Sequence, residues 1–296
     1  MEVRRNLLGS QNPDTLNSMF DLAGVLMYES RHPEAEKWSR ETLDSRRHRL
    51  GSEHRDTLRS MSQLAFILNR EGRYPEAEKL NREALETARR VLGPEDEVTR
   101  VITGHLGADL AYEGKYKDAE KTFREVLEVD RRRFGSDHPN VLLDMGNLAA
   151  VLHYEQRLDE AEKLYRDAYQ AQRRVLGPEH SDTLSALESL GMLLKREKRY
   201  AEAEATIRQT LEGRRRALGP GHPDTAGAAY DLACILALEG KRDESFSNLR
   251  YAVENALSAE TRLGLEKETD LKSLHGDPRF AALAASARQP AAAVQK

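Results

Sequence analysis

The chain has 296 residues, of which 32% are charged, 39% hydrophobic and 6% aromatic. Ala, Leu, Glu, Lys and Arg together make up about half of it, which is typical of a chain dominated by helices. No apolar run is long enough to predict a membrane span, and the net charge of −4 gives no general attraction to nucleic acid. The single cysteine, Cys234, excludes a disulfide scaffold and favours a reducing, cytoplasmic location.

A pair of residues, Leu-Gly or Phe-Gly, recurs every 42 residues and defines the organisation of the chain. When each repeat is numbered from this glycine as position 0, Leu stands at +13, a small residue at +14, Glu at +20 and Arg at +31 in all six repeats. Such a fixed period predicts an array of stacked supersecondary units. We expect repeats at 9–50, 51–92, 93–134, 135–176, 177–218 and 219–260.

Each repeat is predicted to contain two helices. The first has apolar or small residues at +10, +13, +14 and +17, and it follows a start signal such as His222-Pro223-Asp224-Thr225, in which Asp or Thr is expected to cap the helix. The second begins near +24, with acids in its first turn and arginines in its last. The glycine at position 0 should end it with a left-handed residue. Small residues at +14 and +26 should let the two helices approach closely.

The two ends of the chain depart from the period. Residues 1–8 have the pattern of the tail of a preceding second helix. Residues 261–288 are expected to form a capping segment, in which Asp277-Pro278 starts a last helix through Ala287. Residues 289–296, rich in Ala, Pro and Gln, are expected to be a flexible tail.

The columns of small and large residues resemble the tetratricopeptide repeat in its 42-residue, kinesin-light-chain form. Leu176-Gly177-Pro178-Glu179-His180 and Glu71-Gly72-Arg73-Tyr74-Pro75-Glu76-Ala77-Glu78 carry this resemblance. It implies an all-α fold, a right-handed superhelical α-solenoid of six helix-turn-helix repeats with C-terminal capping helices. It also implies a peptide- and protein-binding scaffold whose first helices line a concave groove. The run from Asp270 to Phe280 resembles the closing segment of bacterial tetratricopeptide proteins, including those fused to serine/threonine kinases.

The residue patterns favour a protein that is not an enzyme and holds no cofactor or metal. His54, His138, His180 and His222 all stand at +3, so they are one repeat apart and are expected to bond local backbone rather than a shared ion. The recurring Glu-Ala-Glu acids fit the start of a helix better than a catalytic pair. Cys234 is expected to be a small packed thiol rather than a nucleophile.

Arginines also recur at +37 to +40 and could form a basic edge for acidic partners or phosphates. The alternative is that they complement helix dipoles on a solvated edge. The arginine at +31 follows a glutamate by four residues in five repeats, which predicts an ion pair within the second helix.

Positions that face the ligand in the family vary from repeat to repeat here, while the structural columns stay nearly constant. In the family these positions are +8, +11, +12, +15, +18 and +19, and repeats two to five carry most of the polar and aromatic candidates. Gly104 and Gly146 are expected to open the groove floor. The predicted groove residues are Arg59, Gln63, Phe66, Asn69, Arg70, His105, Tyr112, Asn147, His153, Tyr154, Lys195 and Arg196. They suit an extended peptide or partner protein with acidic groups and an aromatic or leucine anchor.

Three functional hypotheses remain open on these residues. The first is a non-catalytic scaffold that holds a peptide or partner protein in the concave groove. The second is a regulatory or sensor region of a larger signalling protein, with a kinase or NTPase module, that acts through intramolecular contacts. The third is a structural scaffold with no partner, against which the irregular groove columns argue.

Overall fold

The computed structural model describes residues 2–288, and within this range the chain forms α-helices and two short 3₁₀ segments but no strand. The predicted flexible tail at 289–296 lies outside the described residues. A short α1 spans Glu2–Leu8. The six first helices are α2 (Pro13–Tyr28), α4 (Arg55–Arg70), α6 (Glu97–Tyr112), α8 (Pro139–Tyr154), α10 (Ser181–Arg196) and α12 (Pro223–Leu238). The six second helices are α3 (His32–Leu50), α5 (Tyr74–Val91), α7 (Tyr116–Phe134), α9 (Leu158–Val175), α11 (Tyr200–Leu218) and α13 (Arg242–Glu254).

The chain forms two compact units, the first ending at Glu155 and the second beginning at Gln156. In the first unit each helix from α2 to α8 packs on the next, and the first helices of neighbouring repeats also touch. In the second unit the helices from α9 to α13 pack in the same successive order. This stacking of hairpins on their neighbours within each unit is the arrangement of an all-α solenoid, so the predicted fold class is confirmed.

The residue at +3 caps the first helix of every repeat. Nδ1 of His180 accepts a hydrogen bond from the backbone N–H of Asp182 at 3.2 Å, and Asn12 and Asp96 do the same with side-chain oxygens. The local role expected for the +3 histidines is therefore confirmed. The expectation that Asp224 or Thr225 caps the helix was wrong, because the cap must be an extended residue before the first turn, which His222 is. Thr225 instead donates to the carbonyl of Gly219 at 2.9 Å.

The glycine at position 0 has a positive φ in all six repeats, as the sequence predicts. Gly51 has φ 88° and ψ 164°, which is not the left-handed helical conformation but a region that only glycine adopts readily. A residue with a Cβ would be strained there, which explains why no other residue occupies this column.

Small residues hold the two helices of each hairpin together. Ala77 and Ala161 at +26 are fully buried. Ser245 takes that place in the sixth repeat, where its hydroxyl donates to the carbonyl of Ala233 at +14, at 2.7 Å. In this hairpin the positions +14 and +26 therefore meet directly, as predicted.

The third repeat has a charged residue at a core position that is apolar in the other five repeats. Position +7 is a buried Leu in four repeats and Ala226 in the sixth, but it is Arg100 in the third. Arg100 is 5% exposed and forms a two-pronged ion pair with Asp130, which is 1% exposed. Its guanidinium also lies over the ring of Phe134 at 4.8 Å. No pattern in the sequence predicts this charge in the core.

After α13 the chain forms α14 (Ala259–Gly264), 3₁₀ segments at Leu265–Lys267 and Thr269–Leu274, and α15 (Pro278–Ala287). The second 3₁₀ segment packs on α12, and α15 packs on α13. Asp277 accepts from the backbone N–H of Arg279 at 3.0 Å, so it caps the last helix as predicted.

Candidate functional site

A cavity of about 520 Å³ opens between the first helices of repeats one to three. Its lining comes from α2, α4 and α6, mostly at the positions that vary between repeats. Four of the predicted groove residues lie here: Arg59, Gln63, Phe66 and His105. The structure adds residues that the sequence prediction omitted: Phe20, Gly24, Met27, Tyr28, Arg55, Ser62, Ile67, Glu97, Val98, Val101 and Ile102.

The omitted residues of α2 stand in the same variable columns, one repeat earlier than the stretch that the sequence favoured. Phe20 is at +11, Gly24 at +15 and Met27 at +18. The column pattern alone would have found them if the first repeat had been weighed equally with the others. The cavity therefore lies at repeats one to three, whereas the sequence emphasised repeats two to five.

The walls of the cavity are largely apolar and aromatic, with positive charge at one side. Phe20 lies under two guanidinium groups, that of Arg46 at 5.1 Å and that of Arg59 at 5.3 Å from its ring centre. Arg46 is buried and bonded to Ser60, while Arg59 is 52% exposed in its side chain. Arg59, which lies 3.9 Å from Asp56, is therefore more accessible to a ligand than Arg46, as is Arg55, whose side chain is 40% exposed and pairs with Asp96.

The polar groups deeper in the cavity are held in fixed orientations. The Ser62 hydroxyl and Nδ1 of His105 are 2.8 Å apart, and the imidazole stacks on Phe66 at 5.2 Å. Burial lowers the pKa of His105 to about 4, so the ring is neutral at physiological pH. Nε2 of Gln63 donates to the carbonyl of Phe20 at 2.8 Å, and its buried Oε1 has no hydrogen-bond partner among the described residues.

Asn69 has a structural partner. It is 7% exposed, and its amide donates to Asp109 at 2.8 Å, while Asn81 donates to the other carboxylate oxygen at 2.7 Å. Burial raises the pKa of Asp109 to about 6, although both amides oppose the shift. Asn69 therefore links α4 to α6, whereas Arg70, the next residue, is exposed at the end of α4.

Two of the tyrosines at +19 form stacked pairs at the ends of their first helices. Tyr112 stacks on Tyr74 at 5.4 Å and Tyr154 on Tyr116 at 5.2 Å, with nearly parallel rings. Tyr112 and Tyr154 remain more than half exposed, as does Tyr28 at +19 of the first repeat. His153 lies against Tyr154 at 5.6 Å.

The middle of α6 and α8 leaves open space at the predicted groove floor. Asn147 is half-buried on α8. A Cβ added at Gly104 or Gly146 would meet no atom within 4 Å. These glycines therefore leave room along the first helices of repeats three and four.

In the second unit, Lys195 and Arg196 have different surroundings. Nζ of Lys195 donates to Asp270 at 2.7 Å, and the two side chains are 19% and 23% exposed. Arg196 is exposed at the end of α10. The sequence prediction had both cations facing a ligand, but Lys195 already bonds a carboxylate of the chain itself.

The arginines of the predicted basic edge are largely engaged by the protein. Arg90 pairs with Glu53 at 2.7 Å and Arg216 with Glu179 at 2.6 Å, in each case a +39 arginine with a +2 glutamate. Arg46 and Arg214 are buried. These contacts favour the structural interpretation of the edge.

The described residues contain no group of three or more His, Cys, Asp or Glu that could hold a metal ion. Cys234 is buried, and burial raises the pKa of its thiol, which makes the reactive thiolate rare. Among residues 2–288, no helix combines the length and apolar character that crossing a bilayer requires.

A model of the tetratricopeptide repeat family matches the chain in five overlapping segments, at residues 15–90, 56–132, 99–154, 140–215 and 182–258. Together these segments run from residue 15 to residue 258, well over half of the chain. No protein with a curated description has a matching sequence.

Solved structures with a similar fold come from several kinds of helical-repeat protein. BtubC (BKLC) from P. vanneervenii has a TM-score of 0.59 and 19% identity, over 80% of this chain and 89% of that one. A kinesin-light-chain-like protein from Podospora anserina, with nearly identical TPR-like repeats, has a TM-score of 0.59 and 22% identity, over 68% and 95%. The apo form of RapI has a TM-score of 0.64 and 13% identity, over 92% and 97%. At these identities the likeness establishes the fold alone.

Proposed function

Because the chain belongs to the tetratricopeptide repeat family, we propose that it is a non-catalytic scaffold that binds an extended peptide or partner protein along its first helices. The observation that supports this most is the cavity between α2, α4 and α6, which is lined at the variable positions of three successive repeats. Binding of other proteins is a general property of the family. We place the anchor residue of the ligand in this cavity.

The cavity suits a bulky apolar side chain with a carboxylate nearby. Phe20, Met27 and Phe66 offer aromatic and flexible apolar surface, which favours a leucine or aromatic anchor. Arg59 supplies an exposed cation beside this surface.

A panel of random peptides displayed on phage tests the proposal, with two matched valine variants as the readout. Val101 lines the cavity and is 45% exposed, while Val25 is 53% exposed on α2 and does not line it. Val101→Glu should abolish enrichment of peptides selected on the wild type, because it places a carboxylate in the apolar cavity. Val25→Glu should leave that enrichment unchanged. Loss in both variants, or in neither, would contradict the location.

A second experiment asks whether the ligand continues along the first unit to α8. The double variant Asn147→Ala/Tyr154→Ala removes the polar and aromatic groups that α8 offers. We expect the selected peptides to bind it more weakly than the wild type. Unchanged binding would restrict the site to α2, α4 and α6.

An intramolecular role in a larger signalling protein is the second candidate. The observation that favours it is that groove residues of the second unit already bind another segment of the same chain, through Lys195 and Asp270.

We also infer a cytoplasmic location, supported by the single cysteine, which is buried and free.

A further inference from the structure

Exposed side chains form a strip along the ends of the first helices of the first unit. They are the residues at +19, Tyr28, Arg70, Tyr112 and Tyr154, and are named here the +19 strip. The three tyrosines are more than half exposed. Arg70 is exposed and makes no ion pair or side-chain hydrogen bond within the described part of the chain. The strip thus combines aromatic surface with a cation that the fold does not use.

Stacked rings join the strip to the repeats on either side. Tyr112 of the third repeat lies on Tyr74, which begins the second helix of the second repeat. Tyr154 of the fourth repeat lies in the same way on Tyr116 of the third. Each stack covers one face of the +19 ring and fixes its orientation. The strip therefore offers two oriented rings one repeat apart, with the cation of Arg70 one repeat before them.

This spacing favours one conformation of a bound peptide. The first helices of neighbouring repeats touch, and packed helices lie about 8–10 Å apart. A polyproline II helix presents the same face every three residues, which is about 9 Å. A β-strand rises about 10 Å over three residues, but its side chains then point to opposite faces. An α-helix needs about seven residues for this distance, and short peptides do not form stable helices in water.

The chemistry of the strip fits proline. Proline-rich segments dock on aromatic surfaces, and their carbonyls, which make no internal hydrogen bonds, can accept from tyrosine hydroxyls. A polyproline II segment with prolines on Tyr112 and Tyr154 would bring the residue three positions away to Arg70. A carboxylate at that place would pair with the unused guanidinium.

We propose that the +19 strip binds a proline-rich segment of a partner protein, in which an acid and two prolines follow one another at three-residue intervals. The acid meets Arg70, and the prolines meet Tyr112 and Tyr154. The proposal rests on the proposed function for the binding of a peptide along the first helices. It adds a second contact surface, separate from the anchor cavity, and names the class of ligand that this surface takes.

A labelled peptide with glutamate and two prolines at three-residue intervals, separated by alanines, tests the conformation. Its binding to the full chain is measured by fluorescence anisotropy. Replacing both prolines with alanine should weaken binding at least about tenfold, and so should moving the second proline one residue further away. Equal binding of the three peptides would overturn the proposal, because recognition would not depend on the polyproline II repeat.

Variants of the tyrosines test the location. Tyr112→Leu should weaken binding of the first peptide about tenfold, whereas Tyr112→Phe keeps the ring and should retain most of the affinity. Tyr28→Leu is the matched control, since Tyr28 stands in the same column but outside the three repeats that the peptide spans. Equal losses in Tyr112→Leu and Tyr28→Leu, or no loss in either, would place the peptide elsewhere and refute the proposal.

A charge reversal decides the outcome if Tyr112→Leu loses helical content. Arg70→Glu should weaken binding at least about threefold in low salt, and exchanging the glutamate of the peptide for lysine should restore it. Failure of the lysine peptide to bind this variant better than the wild type would overturn the proposal. Val101→Glu should leave the binding of this peptide unchanged, because the peptide has no bulky anchor for the cavity. The cavity and the +19 strip can therefore fail independently.

Discussion

Among the buried side chains that can carry a charge, Asp144 shows most clearly what burial of that charge costs in stability. Asp144 is 8% exposed, and its Oδ2 has no hydrogen-bond partner among the described residues. Burial, and then the nearby negative charge of Asp130, raise the pKa of Asp144 to about 7, while Arg100 opposes the shift. Near neutral pH, the carboxyl group of Asp144 therefore ionises more readily in the unfolded chain than in the folded chain.

Replacing this carboxyl with its neutral isostere should stabilise the protein in a pH-dependent way. The pKa in the unfolded chain is about 4, so the native state favours the protonated form and loses stability as pH rises from about 4 to about 7. Asp144→Asn should therefore raise the free energy of unfolding by about 1–3 kcal/mol at pH 8 and by little at pH 4. Urea unfolding of both proteins at the two pH values measures this. An equal gain at both would show that ionisation is not the cause.

At the scale of elements, α6 can pack closely against α7 because residue 107 is a glycine and has no side chain. A Cβ added at Gly107 would lie 2.9 Å from the ring of Phe123, which is 3% exposed. In the fifth repeat Gly191 similarly faces Ile207, and a Cβ there would lie 2.6 Å from that side chain. A large residue at +30 is thus matched by glycine at +14 in these two hairpins.

Two glycines on the same helix provide a controlled test of this packing. Gly107→Ala should lower the free energy of unfolding by about 1–3 kcal/mol, because Phe123 must move. Gly104→Ala, where the added methyl meets no atom within 4 Å, should instead raise it by roughly 0.5–1 kcal/mol, since alanine favours the helix. Thermal unfolding of the two variants should move in opposite directions. A shift of the same sign would contradict the packing explanation.

The same argument applies to the +26 column. Ala77→Leu and Ala161→Leu would place three more carbons at fully buried sites, and both should lower the melting temperature. The effect of these substitutions can be predicted from the sequence columns alone. The opposite effects expected at Gly104 and Gly107 can be predicted only from the structure.

At the scale of the whole molecule, ion pairs join each repeat to the next within a unit. The glutamate at +27 pairs with the arginine four residues later, as predicted, and also with the cation at +22 of the following repeat. Glu162 is 2.6 Å from Arg166 and 2.7 Å from Arg199. The same link recurs between repeats in Arg73–Glu36, Lys115–Glu78 and Lys241–Glu204.

Removal of one shared glutamate tests how far these links stabilise the array. The hydrogen bond from Arg199 lowers the pKa of Glu162, so its stabilising effect is present at neutral pH and is lost as pH falls through that lowered pKa. Glu162→Gln should cost about 1 kcal/mol in low salt and less in about 1 M NaCl, where charges are screened. Glu212→Gln, at an exposed position of α11, is the control and should change little. A cost independent of salt would argue against an electrostatic link.

The sequence predicted the hairpins well because their contacts repeat. Every repeat needs the same small residues, caps and closing glycine, so the 42-residue columns carried that information. Contacts between repeats were less predictable. Asn69 has the column position of a groove residue, but it bonds Asp109, because +18 of one repeat meets +16 of the next. Arg100 and the Lys195–Asp270 pair each occur once, so no column could reveal them.

The link between +27 and +22 has a consequence for how such a gene can change its length. Each of the first five repeats encodes an acid at +27 for the repeat after it, and each of the last five encodes a cation at +22 for the repeat before it. Unequal crossing-over that duplicates or deletes one period therefore leaves every junction with a matched pair of charges. Arrays of this type can thus grow or shrink by recombination without compensating mutations, while their variable positions diverge afterwards.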